Sequence, residues 1–126
     1  MVIHNYRDLV AWQKAMNLAR AIYRITKSFP AEERYALTSQ IQRAVTSIPT
    51  NIAEGSGRAT RKELVHFLTY SLGSAYEVET ELVLAHDFGY VIDDDFNRIQ
   101  ENVIEVQKLI YALIKKYKEL SSVNCD

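Results

Sequence analysis

Apolar residues recur at alternating steps of three and four along this chain, and that spacing limits its possible folds more than any other feature. The longest series is Phe96, Ile99, Val103, Val106, Ile110, Leu113, Tyr117 and Leu120. Steps of three and four follow the turn of an α-helix and bring all of these side chains to one face. A helix with one such stripe is typical of a bundle, because the stripe must be buried against other helices.

Turn signals divide the rest of the chain into further segments of the same kind. The expected helices are helix 1 over about residues 5–28, helix 2 from Pro30 or Ala31 to a stop at Gly55 and Gly57, helix 3 over residues 60–89, and helix 4 from residue 93 onwards. The connections are short, so neighbouring helices should run antiparallel. Residues 1–126 are therefore predicted to form one all-α domain, an antiparallel up-down-up-down four-helix bundle.

Three local features of these helices are also predicted. Pro49 lies inside helix 2 and should kink it without ending it, since the apolar spacing continues to Ile52. Thr60 and Glu63 have the spacing of a capping box, in which each side chain binds the other residue's backbone amide. The apolar stripe of helix 1 comprises Leu9, Trp12, Met16, Ala19, Tyr23 and Thr26, and Ile22, Ile25 and Phe29 widen it.

The cellular location is predicted from the apolar pattern and the cysteine content. No apolar run approaches the ~20 residues that cross a bilayer, and residues 1–7 lack the basic start and apolar stretch of a signal peptide. The one cysteine, Cys125, should form neither an internal disulfide nor a metal site. These features predict a cytoplasmic protein that does not enter a membrane.

Charge is distributed unequally along the chain, although the net charge is only −1. Residues 1–72 hold ten Lys and Arg against five Asp and Glu, whereas residues 73–126 hold five against eleven. Either the two halves neutralise each other across helices, or a basic surface remains and binds phosphates. The candidate phosphate-binding residues are Arg43, Arg58, Arg61 and Lys62, with Arg20, Arg24 and Lys27 on helix 1 as weaker candidates.

A polar line on helix 2 is a second candidate feature. Gln40, Arg43, Ser47, Asn51 and Glu54 recur at steps of three and four and share one face. Most such lines are solvated, but Ser47 and Asn51 are weak helix formers that a face chosen only for solubility would not carry. We expect a polar interface here, within the bundle or between subunits. Pro49 and Gly55 are predicted to belong to the same structural motif.

The turn between helices 2 and 3 is the candidate landing place for phosphate. Its glycines let backbone amides converge, the start of helix 3 carries partial positive charge, and Arg58, Arg61 and Lys62 lie close by in sequence. The ordinary alternative is a glycine turn with solvated basic neighbours. The chain contains no GxxxxGK[ST] pattern, so nucleotide hydrolysis is not indicated.

Catalytic chemistry is not indicated by the sequence. A di-iron site in a bundle needs Glu-x-x-His on two helices, and only Glu63 with His66 has that spacing. The chain has neither a nucleophile elbow nor a cysteine with catalytic partners. We therefore expect a non-enzymatic protein without a metal or other cofactor.

Several segments together resemble a known family. They are residues 8–15 (DLVAWQKA), 29–30 (FP), 33–37 (ERYAL), 40–44 (QIQRA), 47–55 (SIPTNIAEG) and 73–77 (GSAYE). Over nearly its whole length the chain resembles the four-helix-bundle proteins encoded in intervening sequences of bacterial 23S ribosomal RNA genes. The segment at 47–55 is the most distinctive, because no general rule of helix formation produces it.

The resemblance carries implications for assembly and partners. The family is similar to the accessory variability determinant of diversity-generating retroelements, a pentameric ring of bundles that binds nucleic acid and a reverse transcriptase. The resemblance thus implies a homo-oligomer, a pentamer by analogy, that binds RNA or an RNA–DNA hybrid and a reverse transcriptase or other protein. The alternative is an oligomeric protein–protein interaction module that does not bind nucleic acid, in which the charged halves complement each other between subunits.

Overall fold

Four α-helices account for most of the protein in a computed structural model that describes residues 2–124, with side chains described to residue 120. The elements are a 3₁₀ turn (Tyr6–Asp8), α1 (Val10–Thr26), a second 3₁₀ turn (Ala31–Glu33), α2 (Leu37–Ser56), α3 (Arg61–Asp87) and α4 (Asp93–Asn124). No strand occurs in the described part of the chain. The predicted all-α fold of four helices is confirmed. Cys125 lies outside the described residues.

The helices enclose one apolar core. Helices α1 and α3 each pack against both α2 and α4, so the four form a closed bundle. Fully buried side chains from all four meet inside it, among them Ile22, Ile41, Leu68 and Ile110. The bundle prediction is confirmed, and burial of this core is the main force that holds the helices together.

Contacts between successive helices run in opposite order along the chain. On α2 and α3, Ser47 meets Ser74, whereas Gly55 meets Phe67. On α3 and α4, Ala75 accepts a hydrogen bond from Gln107, whereas His86 stacks on Phe96. The up-down-up-down order of the whole bundle stays a prediction, and these contacts support it for α2, α3 and α4.

The sequence pattern locates α3 and α4 well. Ile99, Val103, Val106 and Ile110 of the predicted α4 stripe are all buried. At the start of α3, the Thr60 hydroxyl oxygen accepts a hydrogen bond from the Glu63 amide at 3.1 Å, as predicted for the cap. The Glu63 carboxylate accepts a bond from the Thr60 hydroxyl at 3.2 Å, whereas a capping box has it accept from the Thr60 amide.

The buried face of α1 differs from the predicted stripe. Its buried residues are Ala11, Ala15, Leu18, Ala21, Ile22 and Thr26, of which the prediction included Ile22 and Thr26. Tyr23, predicted to be inside, keeps 44% of its surface exposed, and Trp12 lies at the edge of the core. Three of these six buried residues are small alanines, which fit the narrow space between close-packed helices and which a stripe counted on bulky residues leaves out. Spacing counted on bulky residues therefore pointed to the wrong centre.

The predicted start of α2 at Pro30 or Ala31 is wrong, because the helix begins at Leu37. The Glu33 carboxylate accepts hydrogen bonds from the Leu37 amide at 3.3 Å and from the Tyr90 hydroxyl at 2.8 Å. A carboxylate held at this end of α2 satisfies an open amide and interacts favourably with the helix dipole. Tyr90 is far from Glu33 in sequence, so local spacing does not reveal this start.

Candidate nucleic-acid interface

The polar line of α2 lies along the seam between α2 and α3. The Ser47 hydroxyl is hydrogen bonded to the Ser74 hydroxyl of α3, and the Asn51 side-chain amide donates to the Ser47 carbonyl at 2.9 Å. Gln40 and Arg43 are exposed at the same seam, and Glu54 is exposed near the end of α2. The inner part of the line thus joins two helices of one bundle, and the outer part faces solvent.

Pro49 is buried within α2, and the helix continues through it to Ser56. The proline removes one amide from the helix ladder, and side-chain groups bind several carbonyls nearby. Ser71 of α3 donates its hydroxyl to the Ile48 carbonyl at 2.8 Å, and Thr50 donates to the Thr46 carbonyl at 2.8 Å. The Ser71 bond fastens α3 to α2 next to the proline.

Gly55 does not end α2, contrary to the prediction, and instead allows α3 to approach. It is buried, and a Cβ atom built on it would lie 2.8 Å from the Cβ of Phe67 and 3.1 Å from Leu64 Cδ1. Only glycine fits this contact without a shift of the two helices. Gly57, as predicted, follows the last residue of α2, and its amide donates to the Glu54 carbonyl at 3.2 Å.

The α2–α3 turn is held by the N-terminal segment of the chain. The Val2 amide donates to the Arg58 carbonyl at 3.2 Å, and the Ile3 amide donates to the Ser56 carbonyl at 3.4 Å. Together with the Thr60 cap, these bonds fix the backbone on both sides of the turn. The side chains on it therefore project from a defined position.

Three predicted cations lie on this turn and on the first residues of α3. We name Arg58, Arg61 and Lys62 the basic turn. Arg58 and Lys62 are exposed, and Arg61 is partly buried. The Arg58 guanidinium carbon lies 4.4 Å from the centroid of the Phe67 ring, which is the geometry of a cation–π contact.

An aromatic group borders the basic turn along α3. We name His66, Phe67 and Tyr70 the aromatic cluster. The ring centroids of His66 and Tyr70 are 4.5 Å apart, and those of Phe67 and Tyr70 are 6.1 Å apart, with edge-to-face geometry in both pairs. Tyr70 keeps 52% of its surface exposed. The cluster is therefore a surface feature and not part of the core.

The C-terminal part of α4 adds cations at the same end of the bundle. The contacts of Ala75 with Gln107 and of His86 with Phe96 fix the register in which α3 and α4 pass each other. Continued along both helices, that register brings three exposed lysines level with the first two turns of α3. They are Lys115, Lys116 and Lys118.

A groove between α2 and α3 contains two glutamates, in contrast to the basic turn. It has a volume of about 440 Å³ and is lined by Gln40, Arg43, Ala44, Ser47, Ser74, Glu77 and Glu81. Glu81 is buried, and its Oε1 atom makes no hydrogen bond to any residue that the structure describes. Burial, with a smaller contribution from Glu77, raises the pKa of Glu81 to about 7.

Comparison with known proteins gives the family. The family model described as "23S rRNA-intervening sequence protein" matches residues 7–112. This chain belongs to that family. It is similar to a protein of unknown function from the S23 ribosomal protein family of Bacteroides thetaiotaomicron, whose crystal structure was determined at 1.70 Å. The identity is 28% and the TM-score 0.78, over 84% of this chain and 99% of that chain. No curated protein matches the sequence.

The seven predicted cations of this family member form three groups and not one surface. Arg58, Arg61 and Lys62 share the turn, and Arg43 lines the acidic groove. Arg20 and Arg24 are exposed on α1, where Arg20 donates to Asn17 at 2.9 Å, and Lys27 is exposed directly after its last residue. An ion pair between the oppositely charged halves is seen at Lys14 and Glu105, 3.3 Å apart. The basic turn is thus the strongest local concentration among the predicted cations.

Glu81 and the aromatic cluster were missed by reasoning from the sequence. Glu81 follows Ser74 by two helical turns and so shares its face, which was an available signal. Its burial depends on α2 and could not be read from α3 alone.

Within the described ranges no three His, Cys, Asp or Glu side chains come together as metal ligands. Among residues 2–124, no helix is both long and apolar enough to span a bilayer.

Proposed function

We propose that this protein is non-enzymatic and binds the phosphates of RNA, or of an RNA–DNA hybrid, on the basic turn. The observation that carries the proposal is that the basic turn and the α4 lysines lie at the same end of the bundle. Arginine and lysine contacts with phosphates supply most of the affinity of nucleic-acid binding. A family named for an intervening sequence in 23S rRNA, whose description names no reaction, favours this ligand and a cytoplasmic setting.

The charges at the opposite end of the bundle indicate which end binds the nucleic acid. Glu32 and Glu33 follow α1, and Asp93, Asp94 and Asp95 form the first turn of α4. Glu33 and Asp93 are tied to the same end through Tyr90 and His86. These five carboxylates outnumber the cations Lys27, Arg34 and Arg98 at the same end, so a polyanion is attracted to the opposite, basic end although the net charge of the chain is near zero.

The experiment is a salt titration of RNA affinity with two matched double variants. Arg58→Glu with Lys62→Glu reverses two charges at the basic turn, and Arg24→Glu with Lys27→Glu reverses two at the end of α1. Each phosphate contact on a single strand contributes a slope of about −0.7 to the plot of log affinity against log salt. We expect the first variant to reduce the slope by about 1.4 and the second to change it little. Equal losses in both, or an affinity that does not respond to salt, would overturn the proposal.

We also propose that copies of the chain associate through the α2–α3 groove, as the family resemblance implies. Tyr76 and Leu84 are exposed beside the groove, at 52% and 39%, and one oxygen of the buried Glu81 carboxyl has no hydrogen-bond partner among the described residues. An apolar rim around an unsatisfied polar group is typical of a surface that a partner completes. A pentamer, the state expected from the resemblance, would have five times the 14.5 kDa mass of one chain.

Light scattering of the purified chain tests this second proposal. Tyr76→Ser with Leu84→Ser should reduce the mass to that of one chain, while Tyr111→Ser, an equally exposed tyrosine on α4, should not. A mass of one chain for the unaltered protein would contradict self-association. The groove would then be left to another protein, such as the reverse transcriptase that the resemblance implies.

A further inference from the structure

The exposed face of α3 next to the basic turn carries one cation followed by two aromatic rings. Lys62, His66 and Tyr70 recur at steps of four, so they lie on one face of the helix. All three are exposed. Arg58 reaches the same region from the turn, over the ring of Phe67. Charge and aromatic surface are thus presented together along the first three turns of α3.

The rings in this face support one another and not the core. His66 and Phe67 both meet Tyr70 edge to face, which fixes the orientation of the Tyr70 ring while half of its surface stays in water. An aromatic side chain held in place with half of its surface exposed leaves ring surface that a planar ligand can contact. Arg58, which lies over the Phe67 ring, favours a planar ligand that also carries a negative charge.

Beyond Tyr70 the surface first opens and then becomes acidic. Gly73 is exposed, and a Cβ atom built on it would meet no atom within 4 Å. Glu77 and Glu81 follow on the side of the groove. A phosphate chain can pass over Gly73, but the two glutamates oppose its continuation. The usable length from Lys62 to Gly73 is about 16 Å at 1.5 Å per residue, which is room for a few nucleotides.

Such a surface distinguishes single strands from duplexes. In a duplex the faces of the bases are covered by their neighbours, and the major groove of an RNA helix is too narrow for side chains to reach the base edges. In a single strand the bases are free to stack on aromatic rings while cations hold the phosphates. Aromatic rings placed next to cations therefore match the chemistry of unpaired nucleotides.

We propose that the aromatic cluster is a stacking platform for unpaired bases of a short single-stranded segment whose phosphates lie on Arg58 and Lys62. This inference rests on the proposed binding of nucleic acid at the basic turn and specifies its ligand class. Tyr70 provides the principal ring, and His66 the second. The acidic groove sets the end of the site.

The test compares three probes by fluorescence anisotropy at about 50 mM salt: a short mixed-sequence RNA, the same RNA paired with its complementary DNA strand, and an abasic strand with the same number of phosphates. The single strand should bind roughly tenfold more tightly than either of the others. Tyr70→Leu should remove most of that advantage and leave abasic binding unchanged, while Tyr70→Phe should retain it. Melting curves and light scattering of each variant establish that fold and mass are unaltered.

The outcomes separate this inference from the function on which it rests. If none of the three probes binds, the proposed function fails. If all three bind equally, or if Tyr70→Leu weakens the abasic strand as much as the RNA, phosphate binding stands and the stacking platform is refuted. A change of oligomeric mass in Tyr70→Leu would assign this face to contacts between copies and would also refute it.

Discussion

The close approach of α2 and α3 at Gly55 gives a prediction whose sign can be worked out from the structure. In Gly55→Ala the new Cβ would lie 2.8 Å from Phe67 Cβ and 3.2 Å from the Leu64 carbonyl oxygen. Carbon atoms in contact prefer about 3.5–4.0 Å, so the helices must separate. The overlap involves the Cβ of Phe67, so replacing Phe67 by any smaller residue except glycine would not remove it. Overpacking of this kind costs about 1–3 kcal/mol of unfolding free energy.

Alanine also stabilises a helix relative to glycine by about 1 kcal/mol, which opposes the overlap. The two effects together predict that Gly55→Ala loses up to about 2 kcal/mol of unfolding free energy. Gly73→Ala is the matched control, because Gly73 also lies within a helix but has open space around it. It should gain about 0.5–1 kcal/mol.

Urea denaturation and thermal melting of both variants measure the difference. One kcal/mol corresponds to about 4 °C in Tm for a domain of this size. Gly55→Ala should melt below the unaltered protein and Gly73→Ala above it. If Gly55→Ala were as stable as Gly73→Ala, the inferred contact between α2 and α3 would be wrong.

Three further predictions concern the polar groups of the α2–α3 seam and its ends. The pKa of Glu81 is raised from 4.5 to about 7, so the folded state loses stability as pH rises through this interval. Glu81→Gln should therefore be about 1–3 kcal/mol more stable than the unaltered protein at pH 8 and nearly equal to it at pH 4. A stability difference that does not change with pH in urea denaturation would contradict this. Ser71→Ala removes the bond to the Ile48 carbonyl and should cost about 1 kcal/mol, whereas Thr69→Ala, whose exposed hydroxyl binds its own helix, should cost clearly less in the same assay. Thr60→Ala removes the cap of α3 and should cost about 1 kcal/mol in thermal melting, while Thr60→Ser should retain the stability.

Local sequence patterns predict those parts of the fold that local forces determine. The α4 stripe, the Thr60 cap and the end of α2 near Gly57 depend on residues within a turn or two of one another. The start of α2 depends on Glu33 meeting Tyr90, and the buried face of α1 depends on which small residues touch its neighbours. Both require the assembled bundle, so the sequence pattern misplaced them.

The candidate site likewise combines features that local sequence predicts with features that depend on the packed bundle. The basic turn is contiguous in sequence and was predicted from the turn and its cations. Its position relative to Tyr70 follows from the spacing of Lys62, His66 and Tyr70 along α3, whereas its position relative to the α4 lysines and the N-terminal segment arises from packing. Gly55 was predicted to stop a helix because glycine commonly does so, yet its environment is a tight contact with Phe67. The burial of Glu81 likewise depends on α2, which no pattern within α3 contains.

The most direct test of RNA binding at the basic turn is photocrosslinking of a bound short RNA, followed by mass spectrometry of the crosslinked peptides. The account predicts that the crosslinks fall on peptides that include residues 58–70, at the basic turn and the aromatic cluster. Crosslinks confined to α1, or to the acidic end around residues 93–98, would contradict it.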